Sequence, residues 1–224
     1  MQAIMEPIFE IAYLVFAIAA GIIMAVKAGA SKALRVFGIA ALLLGVGDSF
    51  HLIPRIYGLI TGTMAENVFA LGLGKLVTSI TMTVFYVLIF HFLRLRFGAI
   101  GNRGLTLAVY CLAAARIILC LFPQNAWFTS NAALSWGIWR NIPFVLLGAL
   151  IIVLFYKNRQ GAFQLAWLAI TLSFLFYIPV VLWADGMPLL GMLMLPKTAC
   201  YVWLILMGYK EFKTFGKSEG NVVK

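Results

Sequence analysis

Seven apolar runs, each about 19 residues or longer, fill this chain between residues 7 and 209. They fall at 7–26, 36–60, 68–93, 104–122, 134–156, 163–184 and 188–209. A helix rises about 1.5 Å per residue, so each run can cross the roughly 30 Å hydrocarbon layer of a bilayer. Inside lipid only helices and closed barrels satisfy every backbone N–H and C=O, and the runs lack strand alternation. The expectation is an all-α, polytopic membrane protein: a seven-helix domain over 1–209 and a basic cytoplasmic tail over 210–224. Composition agrees, with 64% hydrophobic and 11% charged residues. That excess of apolar surface excludes soluble enzymes, nucleic-acid binders and disordered segments.

The net charge of +10 is explained by where the bases lie. Lys27, Lys32 and Arg35 follow the first run, and Arg94, Arg96 and Arg103 the third. Lys157 and Arg159 follow the fifth, and the tail carries Lys210, Lys213, Lys217 and Lys224. The alternate loops hold no Lys or Arg and carry Glu66 and Asp185. The positive-inside rule then places the N-terminus outside and the C-terminus in the cytoplasm, in a multi-pass plasma (cytoplasmic) membrane protein. Trp127 and Trp183 fall where an outer aromatic belt belongs. No cleavable signal is expected, because the first run opens with Glu6 and Glu10 rather than lysines. Cys111, Cys120 and Cys200 form no CxxC or CxxH pattern, so neither a metal nor another cofactor is expected.

Five bases remain inside the runs: Arg55, Lys75, Arg116, Arg140 and Lys197. Glu10 and Asp48 join them, with His51, Ser79, Asn141, Thr198 and Tyr201 nearby. Ionisable groups in lipid are costly and mark functional sites by default. Counted at helical rise from the outer ends, Arg116 and Arg140 lie roughly 9 Å deep and Lys75 about 10 Å. His51 and Lys197 come out near 14 Å and Asp48 near 18 Å. Similar depths on several helices predict one shared, water-filled pocket open to the outside. Asp48, His51 and Arg55 share one stripe of their helix at i, i+3, i+7; Lys75 and Ser79, like Lys197 and Tyr201, are i, i+4 pairs. Five bases against two carboxylates suit a small anion: a carboxylate, a phosphate or a lipid headgroup.

Simpler roles compete at each position. Arg55 and Arg116 are shallow enough to snorkel outward. Glu10 can sit at the interface, and Asp48 can pair with Lys75 or Lys197 to fix packing. His51 and His91 are the only histidines. They lie near opposite ends of the membrane, too far apart to clamp one haem.

The chain also carries hints of a repeat. Phe50-His51-Leu52-Ile53-Pro54 is echoed by Phe176-Tyr177-Ile178-Pro179, and Leu73-Gly74-Lys75 by Leu195-Pro196-Lys197. Both halves, 7–93 and 134–209, begin outside, with 104–122 as a linker helix. In this the chain resembles the seven-helix 3+1+3 class, which includes SWEET-type sugar transporters and KDEL receptors. The resemblance implies a parallel repeat, a central pocket and hinges at Pro54, Pro143 and Pro179. The many pocket charges depart from the sugar transporters and favour an anionic ligand. A local resemblance is to the lysoplasmalogenase family, on Gly47-Asp48, Leu52-Ile53-Pro54 and Gly72 through Tyr86. It implies a lipid-directed hydrolase in which Asp48 is catalytic, with His51 as its neighbour on the stripe. That family has eight helices, against seven runs here. Lys197, midway along the seventh run, sits where rhodopsins carry their retinal Schiff-base lysine, with Asp48 or Glu10 as counter-ion; four further bases do not suit such a site. Membrane lipids and the anion are the expected partners. The sequence does not set the oligomeric state.

Overall fold

The computed structural model describes residues 2–63, 66–98, 102–129, 133–183 and 187–222, with side chains described from residue 5 to 216 except at 188. Asp185 and Lys224, named above for the charge pattern, and the side chain of Lys217 lie outside the described residues. Seven long helices follow one another: α1 (Gln2–Lys27), α2 (Lys32–Thr61), α3 (Val68–Phe97), α4 (Arg103–Leu121), α5 (Leu134–Lys157), α6 (Ala166–Trp183) and α7 (Met194–Val222). All seven are long and apolar enough to cross a membrane. The described chain is thus an all-helical bundle with the make-up of an integral membrane protein.

Local chemistry sets the helix ends. Ser31 accepts a hydrogen bond from the Leu34 amide at 3.3 Å, and Asn102 accepts one from Leu105 at 2.9 Å, capping α2 and α4. Gly62, at φ 73°, closes α2 in the left-handed conformation that glycine adopts at least cost. Two boundaries differ from the sequence reading. Pro188–Leu193 forms a 3-10 turn, so α7 begins at Met194. The expected separate tail is instead helical through Val222. Its root is fastened: Glu211 Oε1 accepts Arg96 Nε at 2.8 Å, and its Oε2 accepts the Ala162 amide at 3.5 Å.

Consecutive helices are neighbours, α7 closes the bundle against α1, and α3 also touches α5. At the end bearing the basic loops the interior is aromatic. Phe37, Phe92 and Phe163 meet with ring centroids 4.8–5.2 Å apart, all buried. At the other end the helices enclose polar groups. Glycines bring α2 and α3 into backbone contact there, as small residues do in lipid, where close packing drives association. A Cβ at Gly47 would collide with Thr81, and one at Gly74 with the Phe50 carbonyl oxygen. That carbonyl is the one that Pro54, four residues on, leaves without its helical donor. Pro54, Pro143 and Pro179 all sit inside continuous helices.

Gly74→Ala is therefore expected to force the α2–α3 seam apart. Overpacking of this kind costs about 1–3 kcal/mol. A lowered thermal midpoint of the detergent-purified protein checks it, and Gly191→Ala, whose Cβ would meet nothing within 4 Å, is the control.

Candidate functional site

A cavity of about 300 Å³ lies at the end of the bundle away from the basic loops. Of the residues singled out in the sequence, all but Asn141 and Tyr201 line it: Glu10 from α1, the Asp48–His51–Arg55 stripe from α2, Lys75 and Ser79 from α3, Arg116 from α4, Arg140 from α5 and Lys197 from α7. Thr198 lines it too. Asn141 and Tyr201 stand behind the wall. Tyr201 is one helical turn beyond Lys197, buried, with its hydroxyl 3.1 Å from that of Tyr86. Asn141 is a buried junction. Its Oδ1 accepts Arg116 Nη1 at 2.7 Å and the Tyr177 hydroxyl at 2.8 Å, and its Nδ2 donates to the Gly137 carbonyl at 2.8 Å.

The two guanidinium groups of α4 and α5 are placed differently from a snorkelling arginine. Arg116 is only 2% exposed. Its Nη1 also donates to the Arg140 carbonyl at 2.6 Å, and its guanidinium carbon lies 4.0 Å from the Phe144 ring centroid. Its Nε is buried with no hydrogen-bond partner among the described residues. Arg140 Nη1 donates to Asn125 Oδ1 at 2.8 Å, and its guanidinium lies 4.2 Å from the Trp127 ring centroid. Among the described residues neither arginine meets a carboxylate.

The segment between α4 and α5 holds this end in place. Asn125 Nδ2 donates to the carbonyl of Leu119 (2.7 Å), in the last turn of α4, and to that of Phe122 (2.8 Å), which also accepts the Asn125 amide at 3.1 Å. Trp127 Nε1 donates to the Cys120 carbonyl at 2.8 Å, and the Trp127 backbone packs on Gly72. Trp127 is thus part of the cavity wall, half-buried, rather than an outward belt residue. Trp183 is exposed.

On the opposite wall the charges are mixed. Arg55 turns inward, not outward: its Nε donates to Glu6 Oε1 at 2.8 Å, its Nη2 contacts the same oxygen, and its Nε lies 3.5 Å from Glu10 Oε1. Glu10 accordingly faces the bundle interior rather than the interface. Asp48 forms no salt bridge within 4 Å among the described residues; its Oδ2 accepts the Tyr13 hydroxyl at 2.6 Å. Lys197 shares the cavity wall with Asp48, and its Nζ lies 4.8 Å from the Tyr177 ring centroid. No hydrogen bond joins Asp48 to His51 among the described residues, and His51 Nδ1 is buried without a partner. Ser79 Oγ donates back to the Lys75 carbonyl at 2.7 Å. His91 lies far from this cluster, 2.7 Å from the Tyr110 hydroxyl and one turn before Arg94.

The charge count changes with Glu6. Among the described residues five bases face three carboxylates, a surplus of two positive charges when every group is ionised, not three. Glu6 was detectable in the sequence: Glu6, Glu10 and Tyr13 repeat at i, i+4, i+7 and share one face of α1. Asn125 and Tyr177 gave no such signal, since an Asn in a loop and a Tyr in an apolar run are ordinary. No protein-family model, curated protein or solved structure matches this chain.

Proposed function

We propose that this multi-pass membrane protein binds a small anion in the cavity, as a transporter or receptor, with the cavity side and N-terminus outside and the basic loops in the cytoplasm. The observation that carries this reading is the pair Arg116 and Arg140. Two guanidinium groups line one end of a cavity with only neutral partners among the described residues: two amides, a carbonyl and two rings. Burying charge without a counter-charge is expensive, and an anionic ligand supplies the counter-charge. Lys75 and Lys197 add positive charge from α3 and α7. A volume of about 300 Å³ suits a metabolite of modest size. The parallel repeat belongs to the same reading. Its support is that α2 packs between α1 and α3 as α6 packs between α5 and α7.

Thermal unfolding of the purified protein against inorganic phosphate, sulfate, mono- and dicarboxylates and lysolipids tests the proposal. A ligand of the folded state alone raises the midpoint. A soluble anion is expected to do so, and Arg140→Ala is expected to weaken it about 30-fold, the worth of one charge-assisted hydrogen bond of about 2 kcal/mol. A midpoint that no soluble anion moves rejects the reading, as does uptake unchanged in a Lys75/Arg140/Lys197 triple alanine variant.

An intramembrane lipid hydrolase is the second reading, favoured by Asp48 and His51 both lining the cavity. Asp48 would be base or nucleophile. Its present partner is Tyr13 rather than His51, which sets this reading behind the first. Stabilisation by lysolipids alone, with turnover lost in Asp48→Asn, would reverse the order.

A further inference from the structure

Glu6 and Glu10 are adjacent on one face of α1, 3% and 5% exposed, within the first apolar helix. Buried carboxylates need one positive partner each, or several hydrogen bonds. Among the described residues this pair has one ion-pair partner between them. Arg55 gives both its contacting nitrogens to Glu6 Oε1 and approaches Glu10 only at 3.5 Å. The second oxygen of each carboxyl, Oε2, is buried with no hydrogen-bond partner among the described residues. Two orphaned oxygens beside a single guanidinium are a charge deficit of one. Two like charges at one buried site raise each other's affinity for a proton, and binding one closes the deficit, while the Arg55 guanidinium opposes its uptake.

Among the described residues the surroundings supply no second base at contact distance. From α2 the facing titratable groups are Arg55, His51 and Asp48, and Asp48 is taken by Tyr13 of α1 itself. From α3 and α7 they are Lys75 and Lys197, and neither forms an ion pair with Glu6 or Glu10 among the described residues. Arg55 and Glu10 both belong to the cavity wall.

We propose that Glu6 and Glu10 form a proton-binding site coupled to the cavity: the pair takes up one proton from water when the cavity binds its anion. This rests on the anion reading above. The coupling follows from charge. An anion in the cavity adds negative charge next to Arg55, which weakens the guanidinium's hold on the pair and raises the pair's affinity for a proton. Ligand and proton then load together, in the manner of carboxylates that serve as proton relays in membrane proteins.

Two measurements test it on the full-length purified protein. The first is infrared spectroscopy at neutral pH, ligand-free and with the stabilising anion. The bound state is expected to show the carbonyl stretch of a protonated carboxyl, lost in Glu10→Gln. The second is calorimetric titration of that anion to saturation in two buffers of different ionisation heat, expected to show net uptake of one proton per bound anion in the wild type and none in Glu10→Gln. Anion binding with no proton uptake overturns the coupling while leaving the anion reading intact. Uptake lost in His51→Asn but kept in Glu10→Gln overturns the assignment to the pair. If no soluble anion binds, the anion reading falls. The infrared band then decides alone, and a band absent across the pH range of the folded protein overturns the proton site.

Discussion

Arg116→Ala should lower the thermal midpoint by the equivalent of about 3 kcal/mol, as much as any alanine substitution in the cavity wall. The guanidinium donates at 2.6 and 2.7 Å to the Arg140 carbonyl and Asn141 Oδ1, and hydrogen bonds from a charged donor are worth about 1.5–3 kcal/mol each. Its approach to Phe144 at 4.0 Å adds up to about 2 kcal/mol in a desolvated setting. Removing an uncompensated buried charge returns part of this, which brings the sum down to about 3 kcal/mol. The loss spreads because Asn141 also receives Tyr177. One amide ties α4, α5 and α6 together, and Arg116 holds that amide in place. Arg116→Lys should recover less than half, since an ammonium on a shorter, unbranched chain has no planar face to lie on the Phe144 ring while it reaches the two acceptors that Nη1 serves. Midpoints of the wild type and both variants in one detergent decide it. A lysine variant as stable as the wild type would show that charge alone matters at this position.

The same arginine shows where sequence reasoning reaches and where it stops. Seven spans were legible because a run of apolar residues as long as the bilayer is thick has one ready solution. The beginning of α7 was not. Pro196 falls in its first turn, where proline is tolerated, so the apolar run from 188 gave no sign that its first residues wind as a 3-10 turn. The far end of α7 was missed because a lysine-rich end reads as a tail, while Glu211 finds Arg96, 115 residues away in sequence. The charged members of the site stood out because lipid makes each one anomalous. Their partners did not. Tyr13, Asn125, Trp127 and Tyr177 are ordinary residues until the helices turn them toward a base or an acid. The sequence put Arg55 and Arg116 both shallow enough to snorkel. It could not show that one turns to two carboxylates and the other to none among the described residues, because that depends on helix rotation.

That difference yields the second large effect. Arg55→Leu removes the only ion-pair partner of Glu6 and Glu10 among the described residues. Breaking a buried pair from one side costs about 3–5 kcal/mol because the other side stays buried and charged. Arg55 is 24% exposed, which places the expected loss near the lower end, about 3 kcal/mol. The loss should be reversible by chemistry at α1: Arg55→Leu combined with Glu6→Gln and Glu10→Gln should regain most of the midpoint, since neutral amides are left where stranded carboxylates were. Arg116 has no such rescue, because among the described residues no acid pairs with it to be neutralised. Thermal midpoints of the single, double and triple variants form the cycle that separates the two cases. Strictly additive losses at Arg55, Glu6 and Glu10 would mean that the three do not act as one cluster. A large positive coupling, strongest with Glu6, would match the unequal geometry, in which Glu6 takes both guanidinium contacts and Glu10 only the longer one.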